Sequence, residues 1–239
     1  MNLPKPIKFE VERYVGGLSQ FKKIKNPIKL SANESALGPS PKAIETFEKE
    51  KNKILKYPES DSDSLREALS KKFKIDSKRI ICGSGSDQIF DLTCRLFIEP
   101  GDEVIVTEFG FIMYKIYASL HKAKVVLAKE KNFKSSVEEI IKKVSDKTKI
   151  VFIANPNNPT GTYLSKNEML DLRKKLRSDI LLVVDDAYYE FLNFNNFTSG
   201  LDLFKDSNNV LVTRTFSKIY GLAGLRLGWG YSSKEIIDS

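Results

Sequence analysis

The feature that most constrains the fold of this chain is a series of short, apolar, β-branched runs that alternate with segments of helical pattern. The runs are residues 79–82, 103–107, 124–128, 149–154, 180–184 and 210–213. Near-continuous apolar strands joined by helices are typical of a mostly parallel sheet with helices on both faces. The sequence therefore predicts a large α/β domain.

The segments around and between these runs predict the helices. They are residues 41–53, 64–73, 87–97, 113–120, 136–144 and 165–176. Two of them carry a capping-box pattern at their start, Ser64 with Glu67 and Ser165 with Glu168. Residues 1–30 are rich in Pro and Lys and predict an N-terminal arm, so that the domain itself covers residues 31–239.

Composition excludes several classes of function. The net charge is +8, but the lysines are scattered beside acidic residues, which favours a solvated surface and not a nucleic-acid site. The single histidine, His121, excludes a metal site built from several histidines. No stretch of about 18 apolar residues occurs, and the N-terminus has no apolar signal segment. We therefore expect a cytoplasmic protein without a membrane or metal partner.

Glycines and polar residues follow the ends of the predicted strands. They form the segments GSGSD (83–87), EFGF (108–111), NPNNPTG (155–161), DDAYYEF (185–191) and TFSK (215–218). Ligands of open α/β sheets bind beside the carboxyl ends of the strands. The sequence therefore predicts one polar site at this edge of the sheet.

The GSGSD segment is placed to bind a phosphate, because a strand precedes it and the amides of a helix N-terminus follow it. A tight turn capped by Ser86 or Asp87 explains the same residues. A dinucleotide-binding turn is a third interpretation, although Gln88 occupies its third glycine position. An NAD-dependent oxidoreductase therefore remains an alternative on these residues alone.

Two charged residues suggest cofactor chemistry. Asp185 ends the most apolar strand, where a carboxylate needs a cationic partner such as a pyridinium nitrogen. Lys218 lies in a glycine-rich loop and is placed to form a Schiff base, while Thr215, Ser217 and Arg226 offer donors to a phosphate. A strand-end cap and a solvated lysine are the plain alternatives, and Thr-x-x-Lys also loosely matches the Ser-x-x-Lys of penicillin-binding enzymes.

The remaining segments supply an amide and an aromatic ring. NPNNPTG is a turn sequence whose rigid frame could hold an Asn amide against a ligand oxygen. Phe109 and Phe111 follow the second strand, and a ring there could stack on a planar cofactor for ~1 kcal/mol. Packing in the core explains these phenylalanines equally well.

Taken in order, these clusters resemble the fold-type-I, class I/II aminotransferases that depend on pyridoxal phosphate (PLP), and among them the histidinol-phosphate aminotransferases. The similarity runs from about residue 30 to residue 229 and includes LSANESALGPSPKA, GSGSDQI, NPNNPTG, VVDDAY and TFSKIYGLAGLRLG. It implies the large domain of a PLP-dependent transferase, aspartate aminotransferase-like, with PLP as the cofactor.

The resemblance also implies roles for individual residues. Lys218 matches the Schiff-base lysine and proton shuttle, and Asp185 matches the partner of the pyridine nitrogen. Tyr188 and Asn158 match the pair that bonds the phenolic oxygen of the cofactor. Phe111 matches the ring-stacking aromatic residue.

A phosphate cup is implied by the same resemblance. Its residues are Gly85, Ser86, Asp87, Thr215, Ser217 and Arg226. Tyr57 matches a tyrosine that reaches the phosphate in the partner subunit, which implies a homodimer.

The implied activity is transamination between an amino acid such as glutamate and a keto partner, with histidinol phosphate and imidazole-acetol phosphate as the expected pair, in histidine biosynthesis. A PLP decarboxylase or lyase of phosphorylated amino acids and a truncated non-catalytic PLP-binding domain remain alternatives. Two segments differ from the common pattern of the family. LSANESALG replaces a string with Asn-Glu-Asn-Pro, and EFGF replaces one with Pro-Thr-Tyr. These differences make the assignment of the substrate less specific. The family continues about a third further. We therefore expect residues 31–239 to hold the PLP-binding large domain with the N-terminal part of the small domain, and the C-terminal small domain, with its carboxylate-binding arginine, to be absent.

Overall fold

A computed structural model describes residues 28–239 together with positions 11, 14, 16 and 17. Most of the predicted arm at residues 1–30 lies outside the described residues. The described part forms a seven-stranded sheet with the strand order β1-β7-β6-β5-β4-β2-β3. The predicted α/β class is confirmed. No helix within residues 28–239 combines the length and apolar character needed to span a bilayer.

The first six strands match the predicted runs closely, and a seventh follows them. They are β1 (Ile80–Gly83), β2 (Glu103–Thr107), β3 (Lys124–Ala128), β4 (Thr148–Ala154), β5 (Leu181–Asp185), β6 (Val210–Thr215) and β7 (Gly228–Tyr231). Neighbouring strands from β3 to β6 run parallel, whereas β7 pairs antiparallel with both β6 and β1. The carboxyl ends of six strands therefore meet at one edge, as predicted.

Eight α-helices connect or flank the described strands. They are α1 (Pro41–Glu50), α2 (Asp63–Phe73), α3 (Gly85–Phe97), α4 (Ile112–Leu120), α5 (Val137–Ile141), α6 (Lys166–Lys175), α7 (Gly200–Phe204) and α8 (Lys234–Asp238). Single 3-10 turns cover Lys51–Leu55, Ser77–Arg79, Tyr189–Phe191 and Ala223–Leu225. Of the last two turns, one precedes β6 and the other follows Lys218.

One predicted capping box is confirmed and the other is wrong. At α6, the Ser165 hydroxyl accepts from the amide of Glu168, and the Glu168 carboxylate accepts from the amide of Ser165. Helix α2 begins one residue before Ser64, whose amide and hydroxyl both donate to Glu59. Glu59, upstream of the helix, therefore accepts the amide hydrogen bond that the pattern assigned to Glu67.

The core lies on both faces of the sheet, because side chains alternate along each buried strand. One cluster packs β-strand residues such as Val151 and Val184 against α2, α5, α6 and α7. The other packs Phe152 and Val183 against α3 and α4. We call the α3–α4 side the front face of the sheet and the α6–α7 side the rear face.

Strand β7 was missed by the sequence analysis because its glycines suggested a loop. The structure explains them by close approach of the β1–α3 turn. A Cβ atom on Gly228 would lie 2.4 Å from the amide nitrogen of Ser86. Only glycine therefore allows an antiparallel strand to pass this close to the N-terminus of α3.

Candidate functional site

The strand-end segments converge around a cavity of about 490 Å³ at the predicted edge of the sheet. It is lined from the β1–α3 turn by Asp87, from the segment after β2 by Phe111 and from the segment after β4 by Asn158. Tyr188 and Lys218 line it from the segments after β5 and β6. Residues distant in the sequence thus share one site because parallel strands end at the same edge.

Asp185 is the most fully hydrogen-bonded acid in this cavity. Its side chain is buried, and the hydroxyl of Tyr114 donates to Oδ2 at 2.7 Å. The hydroxyl of Thr213 and the amide of Ala187 both donate to Oδ1, at 3.2 Å each. Three donors and no cation among the described residues contact this carboxylate, so a positively charged ligand atom would complete its surroundings.

Burial and hydrogen bonding act in opposite directions on Asp185. Burial raises its pKa to about 6, while the hydrogen bonds from Tyr114 and Thr213 oppose this change. Burial and the nearby charge of Asp185 together raise the pKa of Tyr114 well above its usual value. Tyr114 therefore remains a neutral donor, and the charge in this pair resides on Asp185.

Lys218 and Tyr188 meet near the N-terminal segment. The Lys218 ammonium lies 5.4 Å from the centre of the Tyr188 ring and donates to the carbonyl of Ala32 at 3.2 Å. The Asn33 side-chain amide donates to the Tyr188 hydroxyl at 3.0 Å. Asn33 has a φ of 54°, a left-handed conformation that Asn adopts more readily than most residues. The amine and the phenol are thus held on the same wall of the cavity.

Donors suited to an anion form another wall. The Arg226 guanidinium donates to the Ser217 hydroxyl at 3.3 Å and lies 3.5 Å from Asp87. The amide of Ser217 donates to the hydroxyl of Thr215 at 3.0 Å. Burial raises the pKa of Asp87, and the charges of Arg226 and Lys218 oppose this. The other carboxylate oxygen of Asp87, Oδ1, is buried and has no hydrogen-bond partner in the described part of the chain.

The turn beside this wall requires a glycine. Gly85 has a φ of 77°, and a Cβ there would lie 2.5 Å from Nη2 of Arg226. Any side chain would displace the guanidinium from its place at the N-terminus of α3. The close approach of arginine, serine hydroxyls and helix amides gives a set of donors that fits a phosphate group.

The structure gathers most of the predicted site residues. Those that line the cavity are Lys218, Asp185, Tyr188, Asn158, Ser86, Asp87, Phe111, Thr215, Ser217 and Arg226. Gly85 lies behind Arg226 and does not itself line the cavity. Tyr57 is fully exposed and does not line the cavity either.

Several site residues escaped the sequence analysis. Ala32, Asn33 and Tyr14 line the cavity but come from segments without strand or helix periodicity. Tyr114 was read only as part of an apolar helix, although its hydroxyl reaches Asp185. The one available signal for Tyr114 was its position, three residues after Phe111 and therefore on the same side of α4.

The arrangement combines five chemical abilities in one cavity. Lys218 supplies an amine, Asp185 an acceptor for a cationic nitrogen and Tyr188 a phenol donor. Arg226 and Ser217 supply donors for an anion, and Phe111 supplies an aromatic surface. A ligand that uses all of them has a planar ring with a basic nitrogen, an oxygen substituent, a phosphate and a group that reacts with amines.

Solved structures define the fold. A histidinol-phosphate aminotransferase from Sinorhizobium meliloti, crystallised in complex with pyridoxal-5'-phosphate, matches with a TM-score of 0.83 and 27% identity, over 87% of this chain and 56% of that one. An aspartate aminotransferase from Thermotoga maritima matches with a TM-score of 0.77 and 26% identity, over 88% and 60% of the two chains. The fold is therefore that of the aspartate aminotransferases.

The sequence profile of the family Aminotransferase class I and II matches residues 25–239, so this chain belongs to that family. A histidinol-phosphate aminotransferase from Pelagibacter ubique is 58% identical over 100% of this chain and 66% of its own length. One from Paramagnetospirillum magneticum is 45% identical over 98% of this chain and 64% of its own length. The chain thus spans about two thirds of the length of these relatives.

Proposed function

We propose that this chain is the PLP-binding part of a transaminase that exchanges an amino group between glutamate and the histidinol phosphate/imidazole-acetol phosphate pair. The observation that carries the proposal is the convergence of Lys218, Asp185, Tyr188 and Arg226 on one cavity. Relatives named histidinol-phosphate aminotransferase, 58% and 45% identical, support the substrate pair. The corresponding process is histidine biosynthesis in the cytoplasm.

The donor set fits PLP. The carboxylate of Asp185 has hydroxyl and amide donors but no cation among the described residues, which suits a protonated ring nitrogen. The Gly85 turn keeps Arg226 close to the serine hydroxyl of Ser217, which suits a phosphate. Asn158 lines the same cavity and offers an amide to the ring oxygen. When bound, PLP supplies an electron sink for the bonds to the amino-acid Cα.

Each residue then has a task that follows from its chemistry. Asp185 holds a proton on the ring nitrogen by electrostatic attraction. Lys218 would hold the cofactor through Nζ, and once the amino group of the substrate had displaced it, the released amine would move a proton at the substrate Cα. Tyr188 and Asn158 orient the ring through its oxygen. Arg226, Ser217 and Thr215 hold the phosphate, with Gly85, Ser86 and Asp87 forming the turn beneath it.

We propose the domain organisation predicted above, with an arm at residues 1–30 and the PLP-binding domain at residues 31–239. We also propose a homodimer, in which Tyr57 reaches the phosphate site of the partner subunit. The full exposure of Tyr57 supports this role, because its side chain makes little contact within its own chain. Apolar side chains of α1 and the following turn, including Phe47 and Ile54, are likewise exposed and suited to an interface.

A half-reaction tests the function. The chain is loaded with PLP, freed of excess cofactor and mixed with histidinol phosphate or glutamate, and the products are separated by chromatography. We expect loss of the visible PLP band and release of pyridoxamine phosphate, with none formed by Lys218→Ala. Retained PLP that neither compound converts would instead indicate a non-catalytic PLP-binding domain. Conversion by a different amino acid alone would indicate another transaminase.

A further inference from the structure

A partly buried ion pair lies behind the cavity, on the rear face of the sheet. Arg214 of β6 is 3% exposed, and its Nη2 donates to Oε1 of Glu190 at 2.7 Å. Side chains alternate along a strand, so Arg214 points away from Thr213 and Thr215 on either side of it. The hydroxyl of Thr213 donates a hydrogen bond to Asp185, and Thr215 lines the cavity. The pair therefore contacts no cavity ligand.

The Arg214 guanidinium is fixed by aromatic rings as well as by charge. It lies 4.2 Å from the ring centre of Tyr189, 4.7 Å from that of Phe73 and 5.7 Å from that of Trp229. A planar guanidinium stacks on such rings while its edge donates to a carboxylate. Lysine retains the charge but lacks both the plane and the fork of donors.

Glu190 lies in a turn that follows a site residue directly. It belongs to the 3-10 turn Tyr189–Phe191, and the amide of Phe191 donates to the carbonyl of Tyr188 at 3.1 Å. Tyr220 lies two residues after Lys218; burial and then the charge of Glu190 raise the pKa of Tyr220. Glu190 is therefore two residues from Tyr188, and its partner Arg214 lies in β6, four residues before Lys218.

We propose that Arg214 and Glu190 form a positioning pair that holds the Tyr188 turn against the Lys218 loop from the rear of the sheet. The pair joins β6 to the turn after β5, the two elements whose side chains must meet across the cavity. The catalytic meaning of this inference rests on the proposed function. The positioning of Tyr188 itself does not depend on it.

The first test uses the ligand-free chain. The protein is labelled with 3-fluorotyrosine, and the ¹⁹F resonance of Tyr188 is assigned by its loss in Tyr188→Phe. The variants are Arg214→Lys, which keeps the charge of the arginine, and Glu190→Gln. The matched control is Glu103→Gln. This change breaks a different ion pair, which joins the buried Glu103 to Lys124 at 2.8 Å, at the opposite end of the sheet.

We expect the Tyr188 resonance to shift or broaden in both variants of the pair and to stay in place in Glu103→Gln. A pair that serves stability alone gives a different result. Arg214→Lys would then lower the melting temperature while leaving the Tyr188 resonance where it is in the parent chain. That outcome would overturn the proposal.

The second test uses the PLP-loaded chain. Borohydride fixes the cofactor to the protein, and the fixed fraction is measured as a function of PLP concentration. Misplacement of site groups by about an ångström commonly costs a large factor in function, so we expect Arg214→Lys to require about tenfold more PLP than the parent. A parent chain that retains no PLP would contradict the proposed function, and the ¹⁹F result would still decide whether the pair positions Tyr188.

Discussion

Asp185 and Asp186 are neighbours in the chain, but they lie on opposite faces of the sheet and have different surroundings. On the front face, Asp185 accepts from Tyr114, Thr213 and Ala187 and lines the cavity. On the rear face, Oδ2 of Asp186 accepts from the amide of Leu201 at 3.3 Å. Oδ1 of Asp186 is buried and has no partner in the described part of the chain.

Burial raises the pKa of both carboxyls, to about 6 for Asp185 and about 7 for Asp186. The hydroxyls of Tyr114 and Thr213 chiefly oppose burial at Asp185, whereas the charge of Arg214 opposes it at Asp186. The front carboxyl is thus surrounded by donors that favour its charged form and leave it ready for a cationic ligand. The rear carboxyl is buried with too few donors, so its charge weakens the fold.

The largest expected effect comes from replacing each of the two carboxyls by an amide in turn. In Asp185→Asn, we expect the PLP concentration needed for half-saturation to rise roughly tenfold to a hundredfold, the usual range for losing a hydrogen bond to a charged group. Asp186→Asn is the matched control and should bind PLP like the parent. The visible absorbance band of bound PLP measures binding. Equal losses of PLP binding in the two variants would show that loss of any buried carboxylate explains the effect, and not the position of Asp185 in the cavity.

A smaller effect is expected when the hydroxyl that supports Asp185 is removed. Tyr114→Phe should weaken PLP retention by up to about tenfold, because the Asp185 carboxylate loses one of its three donors and a single hydrogen bond contributes about 0.5–1.5 kcal/mol. Without this donor the pKa of Asp185 rises further, so retention should be lost at a higher pH as the pH falls. Tyr117→Phe, on the same helix and half-buried, should behave like the parent in the same pH titration. An unchanged Tyr114→Phe would contradict the support that we assign to this hydroxyl.

The smallest effect concerns stability on the rear face. The pKa of Asp186 is about 7 in the folded chain and 3.8 in its model peptide. Between these values the folded chain keeps a proton that the unfolded chain has lost, so the contribution of Asp186 to the free energy of unfolding falls as the pH rises through this window. Asp186→Asn cannot titrate. We therefore expect its melting temperature, relative to the parent, to increase by several degrees from pH ~4 to pH ~7.5.

Calorimetry at a series of pH values measures this difference directly. Glu103→Gln serves as the control, because hydrogen bonds from Lys124 and Ser145 lower the pKa of Glu103. Its carboxylate therefore stabilises the folded chain as the pH rises, and the difference should have the opposite sign. A pH-independent difference for Asp186→Asn would show that the buried carboxyl has an ordinary pKa.

The parts of this fold that follow from local pattern were predictable, and those that depend on distant contacts were not. Strands β2 and β3 have the predicted bounds because their β-branched runs are continuous and bounded by turns. Strand β7 was missed because Gly228 is required by a distant contact. Ser86, more than a hundred residues earlier in the chain, packs so close to it that a side chain does not fit. Helix α2 was misplaced at its start because Glu59, outside the pattern, accepts from Ser64.

The site residues likewise divide into those that a local pattern predicts and those that depend on distant contacts. Residues directly after strands, such as Asp185, Lys218 and Asn158, were predictable, because parallel strands bring their carboxyl ends together. Asn33 contacts Tyr188 across 155 positions of sequence. The LSANESALGPSPKA segment around Asn33 carries the family resemblance, but it has no local pattern that indicates this contact. Tyr114 has the sequence pattern of a core residue because its ring does pack in the core, where it stacks on Phe152 with the ring centres 4.9 Å apart. Only the three-dimensional structure shows that its hydroxyl also reaches Asp185.

The most direct test of the account is to locate the cofactor on the chain. The protein is incubated with stoichiometric PLP, reduced with borohydride and digested, and the pyridoxyl-modified peptide is identified by mass spectrometry. The account predicts modification at Lys218, and none at that peptide in Lys218→Ala. Modification spread over the surface lysines at equal level in both proteins would contradict it.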